Sequence, residues 1–229
     1  MKLGIMQPYF LPYIGYFQLI KAVDKYVIYD DVNYIKKGWI NRNNILCNGQ
    51  AHLFSISLRG ASQNKLINEI EISDDFSKFR KMIELSYRKA PYFEEVFKLL
   101  NSIIDYPNKN LSLFLANSIK EICKYLSIDT ELIFSSEIEK NNDLKGQEKI
   151  LEICKILQAK TYTNAIGGQS LYDKDIFLKE NIELYFLQSN LTVYKQNLDE
   201  FIPYLSILDV MMWNSKDEIN SMLESYELI

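Results

Sequence analysis

Histidine and cysteine are scarce in this chain. His52 is the single histidine, and Cys47, Cys123 and Cys154 stand far apart with no C-x-x-C pair. That pattern excludes a disulfide framework and a zinc ribbon. With one imidazole and no H-E-x-x-H string, no metal site is expected. Strings of the G-x-G-x-x-G, P-loop and G-x-S-x-G types are missing too, so the common phosphate loops and the serine nucleophile elbow are not expected. No apolar run approaches the roughly 20 residues that a membrane span requires. Pro8 and Pro12 interrupt the apolar stretch near the start, so a secretory leader is not expected. The expectation is a cytoplasmic protein with no membrane insertion. Twenty-six lysines and arginines face 30 acids, interspersed, for a net charge of −4. Bulk electrostatics therefore offers nothing to nucleic acid.

What is present is an alternation of strand and helix signals along 229 residues. The run at 3–7 reads as a buried strand stopped by Pro8, and Gly15 to Val23 has helical spacing. The segments at 25–30, 50–58 and 130–136 read as the second, third and fourth strands. TYTNAIGG and the run at 182–187 supply two more. Ser73-Asp74-Asp75 opens a helix to about Lys89, Pro91 starts another, and Asn110 caps a third to Leu126. Leu144 to Leu157, Phe201 to Met212 and Ser215 to Ser225 also read as helices. Cys123 and Cys154 fall in such patterns as buried small hydrophobes. The expected fold is a single α/β domain over 1–229: a mostly parallel, Rossmann-like sheet with helices on both faces and a helical insert at 73–126.

Ligands of such sheets bind beyond the carboxyl ends of the strands, where strand order reverses. If the first and fourth strands are neighbours there, Gln7–Phe10 faces Ser135–Ser136. Four segments fall on that rim. The first holds Gln7, Tyr9, Tyr13 and Tyr16. Its prolines keep the chain extended, Gly15 allows close approach at the first helical turn, and the free N–H groups there offer an anion seat. Its tyrosines either present hydroxyls to a ligand or, with Phe10 and Phe17, pack the first helix on the sheet. The second, DDVNYIKKGWINRNNIL, brings Asp30, Asp31, Asn33, Lys36, Lys37, Trp39, Asn41, Arg42 and Asn43. Arg42 could fork onto a carboxylate or phosphate and Trp39 could stack on a sugar; a solvated hairpin with local ion pairs is the alternative. In the third, Ser135 and Ser136 are hydroxyl ligands or caps. The fourth carries Asn164, Gly167, Gly168, Gln169 and Tyr172, where the paired glycines mark close ligand approach or a plain turn.

His52 lies in a strand-like run, as a structural residue or as the one histidine available for acid–base work. Cys47 beside it is a conceivable nucleophile. Asp209 sits inside an apolar helix and must find a partner, shift its pKa or face solvent. Arg42 and a tyrosine are the candidate partners.

The string Phe10-Leu11-Pro12-Tyr13-Ile14-Gly15-Tyr16 resembles the strand-to-helix motif of HUP-type nucleotidyltransferases and pantothenate-synthetase-like ligases. Tyr13 and Tyr16 stand where that motif carries histidines, so a HUP-like fold is implied without its catalytic pair. MQPYFLPYIGYFQLI, DDVNYIKKGWINRN, APYF at 90–93, NAIGGQSLY and YLSILDVMMWN together resemble the WbqC-like family over residues 6–214. The resemblance implies a role in O-antigen or other surface-polysaccharide biosynthesis. The expectation is acyl or aminoacyl transfer, glycyl among the candidates, to the amine of a nucleotide-linked amino sugar. Asp30, Asp31 or His52 would take the amine proton, and Arg42 and Lys37 would hold a phosphate or carboxylate. Tyr13, Tyr16 and Asn43 would position the acceptor and the carbonyl oxygen. The donor would be a CoA thioester or an acyl or aminoacyl carrier protein. Two other readings stay open: an ATP-dependent carboxylate–amine ligase, and a non-catalytic sugar-binding or assembly protein.

Overall fold

The computed structural model describes residues 1–198 and 200–229. Strand β1, Lys2–Met6, is buried at its three central residues and ends before Pro8, which offers no N–H to a ladder. Helix α1, Ile14–Lys21, leads to β2, Lys25–Ile28. Two hairpins follow: β3, Arg42–Cys47, with β4, Gln50–Ser55, and β5, Leu58–Arg59, with β6, Glu71–Ile72. Asn48 and Gly49 close the first with φ of +51° and +75°, the left-handed pair that a tight hairpin turn requires. Next come α2, Ser77–Tyr87, α3, Phe93–Ile104, and α4, Leu111–Tyr125. Asn110 caps α4 by accepting from the Leu113 N–H at 3.1 Å.

The chain continues through β7, Glu131–Phe134, α5, Gly146–Ile156, β8, Thr161–Ala165, α6, Lys174–Lys179, and β9, Glu183–Ser189. It ends with α7, Ile207–Trp213, α8, Lys216–Leu223, and β10, Tyr226–Leu228. The central sheet has six strands in the order β10-β9-β8-β1-β2-β7. All neighbours pair in parallel except β10, which runs antiparallel on β9. From β1 the order proceeds to β2 and β7 on one side and to β8 and β9 on the other. The reversal therefore lies between β1 and β8, as expected of a doubly wound sheet.

Three sequence expectations differ from the structure. The segment at 50–58 is not a strand of the central sheet. Its residues 50–55 pair only with β3 in the hairpin, and most of them are exposed, so they cannot form a strand covered on both faces. Nor is β1 beside the strand at 130–136, because β2 separates β1 from β7. Gln7–Phe10 therefore does not face Ser135–Ser136. The helix expected at 201–212 also starts late, at Ile207.

Both sheet faces are covered. Leu3, Ile5, Val27 and Tyr162 pack with Ile150 and Cys154 of α5 and Phe177 of α6. The other face joins Tyr26 and Ile28 to α1, α4, α7 and α8. Phe10 is fully buried there among Phe54, Phe76, Phe79 and Phe114, with ring centroids 5.6–6.3 Å away. Burying such a side chain contributes about 1.5–3 kcal/mol. This cluster fastens the β1–α1 loop to the first hairpin, α2 and α4.

Candidate functional site

A cleft of about 500 Å³ opens beside the strand-order reversal. Tyr9, Pro12 and Tyr13 of the β1–α1 loop form one wall, and Trp39 and Asn43 a second. Ile166 after β8, Gln188 and Ser189 at the end of β9, and Tyr204 complete it. A wider groove of about 790 Å³ runs along β7 and α4 and contains none of the site residues expected from the sequence.

The local backbone explains how the first two walls are held. Leu11 has φ of +48°, rare for a branched residue. Its carbonyl accepts from Asn43 Nδ2 and Ser206 Oγ, both at 2.7 Å, and Pro12's carbonyl accepts from the Ile207 N–H at 2.8 Å. Asn43 is thus an anchor as well as a wall. The ring of Tyr13 lies across Gly15: a Cβ there would sit 2.4 Å from Tyr13 Cε2. Only glycine admits that close approach. Burial, with the neighbouring Tyr13, pushes the Tyr9 hydroxyl above its ordinary pKa. Burial, with Tyr204 nearby, does the same for Tyr13. Both are neutral hydrogen-bond donors around neutral pH.

Arg42 holds the second wall. Its Nε donates to the Gly38 carbonyl at 2.8 Å and its Nη2 to the Lys37 carbonyl, and its guanidinium lies 5.6 Å from the Trp39 ring centre. Lys37 itself is exposed with φ of +62°. Arg42 therefore positions the Trp39 loop. Tyr204, which also lines the cleft, has φ of +57°. By contrast, Ser127, Gln158 and Asn181 are left-handed because each follows a helix end. Leu11, Lys37 and Tyr204 have no such cause; Tyr204 lines the cleft, Leu11 precedes the lining residue Pro12, and Lys37 lies two residues before Trp39. Strain of this kind clusters at ligand sites.

Other expected residues do structural work. Tyr16 is buried and donates to the Gln7 carbonyl at 3.0 Å, so the notion of a free Tyr16 hydroxyl is corrected. Asn41 accepts from Tyr34 and donates to the Ile56 carbonyl, both at 2.8 Å. Asn33 is exposed and donates to the Gln63 carbonyl. Asn164 is buried with its amide against Gly168, where a Cβ would lie 2.8 Å from Nδ2. Gly167 and Gln169 are exposed on the turn after β8, and Tyr172 packs on Tyr162 and Phe177 in the second core.

The expected proton acceptors do not line the cleft. Asp30 is buried, and its carboxylate accepts from Ser136 N at 3.0 Å, Ser136 Oγ at 2.8 Å, Ser112 Oγ at 3.0 Å and Asn68 Nδ2 at 3.5 Å. It ties the end of β2 to α4 and to the turn after β7. Ser136 is thus a clamp on Asp30, and Ser135 is fully buried. Asp31 Oδ2 meets Lys140 Nζ at 2.7 Å and Lys149 Nζ at 3.1 Å, with both ammonium groups buried. Burial pushes the Asp31 carboxyl up, but hydrogen bonds led by Lys140 outweigh it and hold the group below its ordinary value. His52 is exposed on β4, opposite Ile45 rather than Cys47. A catalytic pair of Cys47 and His52 is not formed.

Asp209 is fully buried and takes tyrosines, not Arg42, as partners: Tyr87 at 2.7 Å and Tyr194 at 2.6 Å, with Gln196 at 3.0 Å. Burial pushes its pKa up despite those bonds. The reading of the residues missed Gln188, Ser189, Tyr204 and Lys140. Gln188 and Ser189 close a strand on the same rim, so the strand-end rule reaches them. Tyr204 and Lys140 carry no such signal. Among the described residues no cluster of three or more metal-ligating side chains is found, and no helix is long and apolar enough to cross a membrane.

Comparison with known proteins adds one assignment. The model of the WbqC-like protein family matches residues 7–221. A relative, the uncharacterized protein Rv1507c of Mycobacterium tuberculosis, is 30% identical over 215 residues, covering 92% of each chain. No solved structure matches. This chain belongs to the WbqC-like protein family.

Proposed function

We propose that the cleft binds the sugar of a nucleotide-linked amino sugar, and that the protein transfers an acyl group to that sugar's amine in surface-polysaccharide biosynthesis. One observation carries the reading. The cleft sits beside the strand-order reversal, where doubly wound sheets take nucleotide-type ligands, and its walls are rings and amides: Tyr9, Tyr13, Trp39, Tyr204, Asn43 and Gln188. Rings stack on the apolar face of a pyranose, and amides and hydroxyls bond its edge. In this scheme Trp39 and Tyr204 hold the sugar face. Tyr9 and Tyr13, neutral donors, point hydrogen bonds at the carbonyl oxygen as charge develops on it. A neutral amine attacks the thioester carbon, the C–S bond breaks, the sulfur leaves as a thiol, and the surplus proton of the amine passes to the departing sulfur through solvent, since neither Asp30 nor Asp31 lines the cleft. The acyl donor is a thioester of CoA or of a carrier protein; ATP-driven ligation remains the alternative route to the same amide.

A second reading has its own support. The titratable groups lining the cleft are tyrosines. A non-catalytic sugar-binding protein has such a lining. Incubation with nucleotide-linked amino sugars and acyl donors, with and without ATP, separates the readings by the mass of the recovered sugar. A mass gain supports transfer, and AMP release alongside it supports ligation. Binding without a mass change supports the second reading, and no binding removes both.

A further inference from the structure

The cleft has a side recess. Tyr13, Ser189 and Tyr204 line both cavities, so the recess adjoins the cleft. Its inner wall is apolar, with Ile14, Leu205, Val210 and Met222. Its volume is about 40 Å³. A water occupies about 10–15 Å³ on this measure, so the recess has room for about three heavy atoms. Tyr194 supplies a hydroxyl, but its proton is given to Asp209 at 2.6 Å. A charged group entering here leaves water and finds no counter-charge among the described lining residues, which is costly.

Resting on the sugar reading of the cleft, we infer that the recess seats the methyl end of a short, uncharged substituent on the sugar ring. It rejects a glycyl group, whose ammonium would leave water for aliphatic side chains and neutral hydroxyls and amides. The substituent comes from one of two sources, an N-acetyl group or the C6 methyl of a 6-deoxy sugar. The substrate class narrows accordingly, to 6-deoxy hexosamines or to hexosamines that carry a small N-acyl group beside the free amine to be acylated, rather than aminoacylated ones.

The test is a calorimetric titration of the whole chain. The probes are UDP-glucosamine, UDP-N-acetylglucosamine and UDP-N-glycylglucosamine, and the pair TDP-glucose and TDP-6-deoxyglucose. One methyl seated in an apolar pocket improves affinity about tenfold. Acetyl over amine identifies the first source, and 6-deoxy over hydroxymethyl the second. Thr192→Phe, which fills the recess from its half-exposed loop, should abolish the gain and leave UDP-glucosamine binding unchanged. Should Thr192→Phe fail to fold, Leu191→Ala, at an exposed wall residue, should admit UDP-N-butyrylglucosamine that the parent chain refuses. Equal affinities within each pair, glycyl binding as tightly as acetyl, or a gain that survives Thr192→Phe would overturn the inference. Trp39→Ala separates its failure from that of the cleft reading, because it should weaken every sugar equally whatever the substituent. If no sugar binds the parent chain, both fall.

Discussion

Two clusters lie at the carboxyl edge of one sheet, and they are built oppositely. Around the end of β2, Asp30, Asp31, Lys140 and Lys149 are buried and tied to one another or to neighbouring hydroxyls and carbonyls. Beside β1, β8 and β9, the cleft is open and aromatic, and among the described residues no lysine, arginine or carboxylate lines it. The charged cluster has the residue types of a catalytic centre and the geometry of a clamp. The cleft has the residue types of a packed core and the geometry of a binding site. Residue type alone therefore misassigns both. The deciding quantity is whether a polar atom still has a free bond to give, and whether space lies in front of it.

The contrast can be broken experimentally, beginning with the largest effect. Asp31→Ala leaves Lys140 and Lys149 buried without their counter-charge, and removing one partner of such a pair costs about 3–5 kcal/mol. Urea unfolding should show that loss, and a drop under 1 kcal/mol would deny the clamp. Asp209→Ala leaves Tyr87, Tyr194 and Gln196 without their acceptor and should cost about 2 kcal/mol. It should also loosen the recess wall that Tyr194 forms.

The same two carboxyls should tilt stability with pH in opposite directions. The folded pKa of Asp31 is lowered. Its contribution is therefore present above the unfolded value, about 3.9, and lost as pH falls through the folded value. The folded pKa of Asp209 is raised. Its contribution is present below about 3.9 and lost as pH rises through the folded value. Unfolding free energies measured across the acid range should show Asp31→Asn losing the acid decline of the parent chain. Asp209→Asn should lose the decline on the rising side. Slopes unchanged in both variants would contradict the assigned environments.

Gly15→Ala should sharpen the other half of the contrast. Alanine favours the helix by up to about 1 kcal/mol, so stability should hold or rise. Its methyl evicts the Tyr13 ring, however, so affinity for a nucleotide-linked amino sugar should fall about tenfold or more. Unchanged affinity would remove Tyr13 from the site. The smallest effect belongs to His52→Ala, which should leave binding, any turnover and stability within about 0.5 kcal/mol of the parent chain. A lost activity there would return His52 to the mechanism.

Much of the fold was legible because local signals agreed with it. Pro8 ends β1 and Asn110 caps α4. The place of the segment at 50–55 was not legible, because apolar alternation marks a strand without naming its partner. Of the site, Tyr9, Tyr13, Trp39 and Asn43 were reachable from strand ends and the clustering of rings and prolines. Lys140 was not: within SSEIEKNNDLKGQEK it looks solvated, and only the fold turns it inward onto Asp31. Tyr204 reaches the cleft from a loop far along the chain, with a backbone conformation that no sequence pattern announces.

The most direct measurement is a crystal structure with UDP-N-acetylglucosamine bound. The sugar ring should lie between Trp39 and Tyr204, with Tyr9 and Tyr13 within hydrogen-bond reach of its edge. A sugar seated instead in the groove along β7 and α4, or against Asp30 and Asp31, would contradict the assignment of the cleft.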